Sequence, residues 1–159
     1  MASYISLLTH PSWDMLFLLF VVTVGFFWGT ARGKRKLVLA FLAFYVARAV
    51  FEYIPIDLLV AGRSGTETVL IRVTAYMLLA GMILFILMRV LKGGYDGNWL
   101  SALLLSMLLA GFLGAVLFQF VTPEVIESAG ISPLAVRLFG NPSVARWWMI
   151  APIVGILFL

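Results

Sequence analysis

Four ionisable side chains of this chain stand inside or at the edge of long apolar runs, where a charge is costly. Arg48 and Glu52 lie four residues apart in R-A-V-F-E, which puts both on one face of a helix, one turn apart. Arg72 sits one turn inside the apolar run 68–91, and Asp14 opens the run that follows Trp13. A charge at the bilayer centre costs about 2.5–3.5 kcal/mol on insertion scales, so each of these groups must pair, reach the headgroups or serve a function. Two readings follow. In one, Asp14, Arg48, Glu52 and Arg72 build a polar pocket in one leaflet that binds an anionic group or gates a path. In the other, Arg48–Glu52 is a structural pair, and Arg72 and Asp14 reach the headgroups.

Other chemistry is sparse. The single histidine, His10, lies beside Pro11 in the N-terminal tail and reads as a surface residue. With no cysteine, structural disulfides, thiol catalysis and thiolate metal sites are excluded. No zinc-protease, nucleophile-elbow, phosphate-loop or dinucleotide motif appears. Asp96-Gly97-Asn98 is a turn without the further ligands of a calcium loop. Glu124 and Glu127 read as a solvated helix face, and Phe26, Phe27 and Trp28 as lipid-facing or packed aromatics. The expectation is a non-enzymatic protein with no metal and no cofactor.

The elements that position these residues are membrane helices. The chain is 64% hydrophobic and 11% charged, against about 25% charged in ordinary soluble domains. Lipid is the natural solvent for so apolar a surface. Residues 13–36 set the arrangement. An uncharged run from Met15 to Ala31 is closed by Asp14 on one side and by Arg32, Gly33, Lys34, Arg35 and Lys36 on the other. Such a run is long enough to cross as a helix, and cations at its end favour the cytoplasmic side. The N-terminus is therefore expected outside. A second helix follows over about 37–54, a third over 68–91 after a capping box at Ser64 and Glu67, and a fourth over 99–121 capped by Asn98. The segment Ile56–Val60 reads as a short interfacial stretch. Six cations fall in the two inner turns (Arg32, Lys34, Arg35, Lys36, Arg89, Lys92) and three in the outer segments (Arg63, Arg137, Arg146). The bias agrees with that orientation, and the short cationic block reads as topology rather than as a nucleic-acid surface.

Small residues point to helix packing. Gly25, Gly29 and Gly33 recur every four residues, and Ala102, Ser106, Ala110 and Gly114 do the same in the fourth helix, with Gly111 and Ala115 beside them. Such stripes let backbones approach closely, and the glycine face of the first helix pairs reasonably with the stripe of the fourth. Beyond residue 121, Thr122-Pro123, Ser132-Pro133 and Asn141-Pro142 each start a short helix, with Gly130 and Gly140 as stops for the first two. Trp147 and Trp148 mark an interface. The final apolar run is 13 residues from Trp147 and contains Pro152, which fits either an interfacial segment or a fifth crossing. The expected architecture is an all-α integral membrane bundle. Residues 1–121 form four transmembrane helices, and residues 122–159 form outer-surface helices plus a terminal apolar segment.

The order of Trp13-Asp14, an apolar span, Gly29, then Ala31-Arg32-Gly33 with further cations resembles the start of the colicin V production protein family. Gly94-Tyr95-Asp96-Gly97 and the small residues from Ala110 to Ala115 resemble its middle. Asp14, Gly29, Arg32, Gly33, Asp96 and Gly114 carry the match. The resemblance implies a non-enzymatic protein of the inner membrane, linked to bacteriocin export or envelope homeostasis. The expected mode of action is assembly with other membrane proteins or with itself, the small-residue faces of the first and fourth helices supplying the contacts. A small channel or transporter subunit using the four-residue polar cluster is the alternative reading.

Overall fold

The computed structural model describes residues 13–91 and 98–158. His10, Pro11, Ser12, Lys92 and the turn containing Asp96 lie outside the described residues. Helix α1 (Trp13–Arg32) and helix α2 (Lys34–Phe51) meet at a single residue. Gly33 takes φ +87° and donates its N–H to the Gly29 carbonyl at 2.8 Å. Glycine reaches that conformation without the Cβ clash other residues would suffer. The cations expected in a turn thus belong to helix ends, with Arg32 closing α1 and Lys34, Arg35 and Lys36 forming the first turn of α2. Cations at a helix N-terminus oppose the macrodipole, so local helix stability does not account for them.

Helix α3 (Asp57–Val60) is short and buries none of its residues, as an interfacial segment would. Helix α4 (Gly65–Val90) starts on the expected capping box: Glu67 N–H donates to Ser64 Oγ and Ser64 N–H to Glu67 Oε2, both at 3.3 Å. Helix α5 (Trp99–Phe118) is capped by Asn98, whose Oδ1 accepts from Leu100 N–H at 3.2 Å. Helix α6 (Pro123–Ser128) is followed by Gly130 at φ +61°. Helix α7 (Pro133–Ala135) starts on Ser132 and continues into a π-helical turn, Val136–Gly140. Helix α8 (Pro142–Phe158) runs unbroken through Pro152. It is therefore longer than the apolar run read from Trp147, because the turn begun at Pro142 joins it. No strand occurs among the described residues.

The physical centre is α5, not the N-terminal helix around which the sequence reading is arranged. Eleven of its 20 residues are buried, against Gly25 and Gly29 in α1 and Tyr76 and Ala80 in α4. Helices α1, α2 and α8 and the π turn pack around it, while α4 lies outside α2 and touches α3 and α6 at one end. Aromatic side chains fill the seams. Tyr76 packs among Phe44, Phe51 and Phe120, and Phe112 contacts Phe41 and Tyr45. The Tyr76 hydroxyl donates to the Phe44 carbonyl at 3.1 Å, so a polar tip buried among helices is satisfied.

Helices α1, α4 and α5 are long and apolar enough to cross a membrane. Phe20, Phe27, Leu78 and Phe85 face outward among many other large apolar side chains. A surface of this kind suits lipid and would aggregate in water. Helix α2 carries charge at both ends and buries seven residues from Leu37 to Phe51, so its apolar side faces protein more than lipid. The charges segregate by end. Asp14, Glu52, Asp57, Glu67, Glu124 and Glu127 all lie at the end where α1 and α4 begin, together with Arg48, Arg63, Arg72, Arg137 and Arg146. The opposite, basic end holds Arg32, Lys34, Arg35, Lys36 and Arg89 and no acid among the described residues.

Candidate functional site at the mixed-charge end

Helix α2 ends, α4 begins and α5 ends at one level, which brings the polar side chains of three helices together. The Arg48 guanidinium is held twice: Nη1 lies 3.0 Å from Glu52 Oε1, and Nη2 donates to Gln119 Oε1 at 2.9 Å. Two partners in a plane suit the fixed fork of arginine. Arg72 turns elsewhere, with Nη2 2.9 Å from Asp57 Oδ1 on α3. Asp14 accepts from Ser132 Oγ at 2.5 Å, tying the start of α1 to the start of α7. Among the four residues read as one cluster, Arg48 and Glu52 are joined directly. Arg72 and Asp14 each close onto a different neighbour.

Three partners were not visible from spacing. Gln119 is the chain's only glutamine and sits between Phe118 and Phe120 at the end of an apolar helix. A lone amide there was the available signal. Asp57 and Ser132 stand in segments whose approach depends on the tertiary fold. The exposed Arg72–Asp57 pair is worth about 0–1 kcal/mol.

Small residues of α5 divide between two sets of neighbours. A Cβ built on Gly25 would stand 3.1 Å from Ser106 Oγ, and one on Gly29 would stand 3.2 Å from Ala102 Cβ and overlap Leu37. Helices α1 and α5 are therefore antiparallel and in close approach over that half. Ser106 is fully buried there and donates to the Ala102 carbonyl at 2.6 Å. The other half accepts the C-terminal segment. A Cβ on Gly114 would stand 2.9 Å from the Phe139 ring, and one on Gly111 would overlap Trp148. Ala110, also buried, lines a lateral apolar cleft of about 450 Å³ with Leu18, Val22, Met107 and Trp148. A second hollow, about 500 Å³, lies between α6, α8 and the π turn and is bordered by Gln119 and Arg146. No group of three His, Cys, Asp or Glu among the described residues could hold a metal.

Comparison with family models, with curated proteins and with solved structures returned no match.

Proposed function

We propose that this chain is a non-catalytic integral protein of the inner or plasma membrane that acts by assembling with other membrane proteins or with further copies of itself. A role of the colicin V production type, in export or envelope homeostasis, fits that reading. Helices α1, α2, α4 and α5 are the four spans. Helix α2 crosses within the bundle, its end charges lying at the two interfaces, and α8 descends beside α5 as a fifth membrane segment. The basic end faces the cytoplasm and the N-terminus the outside, because cations are retained on the inner side.

The observation that carries the assembly reading is Gly81. Helix α4 is 26 residues long, about 39 Å at 1.5 Å per residue. Its outer face presents Leu70, Leu78, Met82 and Phe85. Gly81 stands on this face with nothing within 4 Å of the place its Cβ would occupy, whereas Gly25, Gly29, Gly111 and Gly114 all have a neighbour's side chain there. A glycine inside a helix costs about 0.8–1.0 kcal/mol relative to alanine. Close approach of another helix returns that cost. The stripes of α1 and α5 meet each other and the C-terminal segment, which leaves α4 as the face for a partner.

Cysteine cross-linking tests this directly, since the chain has no cysteine of its own. Single variants Leu78→Cys and Met82→Cys, oxidised in native membranes, are expected to give a discrete cross-linked product. Leu19→Cys, on the exposed face of α1, is expected to give none. Cross-linking no greater at α4 than at Leu19 would remove the reading. The transport alternative requires Arg48, Glu52, Arg72 and Asp14 to line a path. Flux in liposomes that falls with Arg48→Ala and Glu52→Ala would favour it.

A further inference from the structure

The hollow between α6, α8 and the π turn offers hydrogen-bond donors and no acid. Its polar border is Arg146 and Gln119, and its walls include Phe139, Ile126, Pro123 and Met149. No hydrogen bond or ion pair links Arg146 to another described residue. Arg48 donates to Gln119 Oε1, which orients the amide so that its NH2 donors face away from that guanidinium. Of the acids at this end, Glu52 is bound to Arg48 and Glu124 lies on α6 against Gly65 at the start of α4. Glu127, beside Ile126, is exposed and does not line the hollow. Trp147, 71% exposed, stands beside Arg146 and marks the level of the headgroups.

We infer that this hollow is a binding site for one anionic phospholipid of the leaflet at the mixed-charge end, its phosphate held by Arg146 and the Gln119 amide. Guanidinium suits phosphate because its planar donors bind two oxygens at once. The apolar walls take the first methylenes of the acyl chains. A zwitterionic lipid carries the same phosphate, but its cationic headgroup would find no carboxylate in the lining. The site therefore discriminates on net charge. Arg137 provides the natural control, being an exposed cation on the neighbouring π turn that does not line the hollow.

Native mass spectrometry of the whole protein in mild detergent, offered equal phosphatidylglycerol and phosphatidylcholine, tests the site. One phosphatidylglycerol is expected to be retained with about tenfold preference, the size of one charge-assisted hydrogen bond. Arg146→Gln should abolish that preference, Arg146→Lys should restore part of it, and Arg137→Gln should leave it unchanged. Excess glycerol 3-phosphate should leave the lipid in place. Equal retention of the two lipids, equal losses in the Arg146→Gln and Arg137→Gln variants, or displacement by the soluble phosphate would each overturn the proposal.

Discussion

The Tyr45 hydroxyl of α2 donates a hydrogen bond to the Met149 carbonyl of α8, three residues before Pro152. Proline has no N–H for the carbonyl four residues back, and its ring crowds the preceding turn. Membrane helices tolerate such a proline where a neighbour satisfies the disturbed backbone. The carbonyl so orphaned is that of Trp148, and Tyr45 ties α8 to the bundle at the next carbonyl along, that of Met149. Tyr45→Phe should lower unfolding stability in detergent by about 0.6 kcal/mol and at most about 1.7, the range for polar contacts between membrane helices.

Glycine substitutions should separate packing inside the bundle from contact outside it. Gly111→Ala puts a methyl into the Trp148 ring and should destabilise by about 1–3 kcal/mol. Gly25→Ala meets Ser106 at 3.1 Å and should cost less. Gly81→Ala meets nothing and should raise the stability of the isolated protein by up to about 1 kcal/mol. If α4 is the assembly face, Gly81→Leu should reduce the cross-linked product while leaving thermal unfolding of the monomer unimpaired.

The polar contacts at the mixed-charge end should differ in weight. Asp57→Ala removes an exposed partner of Arg72 and should change stability by less than about 1 kcal/mol. Gln119→Leu strips the Arg48 guanidinium of an amide that bridges α2 and α5, and should cost about 1.5–3 kcal/mol. Unfolding followed by tryptophan fluorescence compares the two.

Much of this arrangement was written locally. Ser64 with Glu67, Asn98, Ser132 and Asn141 announce helix starts because their side chains reach backbone N–H groups two or three residues on. Gly25 and Gly29 signal a close approach, and Ser106 and Ala102 are the residues they meet. The centrality of α5 was not legible, since lipid and protein interior select the same apolar side chains and hydropathy does not separate them. Nor was the pairing of Arg48 with Gln119, 71 residues away. The partner of Arg72 was ambiguous, because Glu52 and Asp57 both lie at its level and the path of α3 decides between them. The corner at Gly33 looked like a turn because its cations are polar, although a positive φ at one residue suffices to reverse the chain.

Topology underlies all of these assignments, and impermeant thiol labelling in intact cells reads it most directly. Ala31→Cys at the basic end, Thr66→Cys at the start of α4 and Ser143→Cys at the start of α8 are exposed positions that leave every cation in place. Labelling of Thr66→Cys and Ser143→Cys from outside, with Ala31→Cys reacting only after permeabilisation, is the predicted result. Labelling of Ala31→Cys in sealed cells would contradict it.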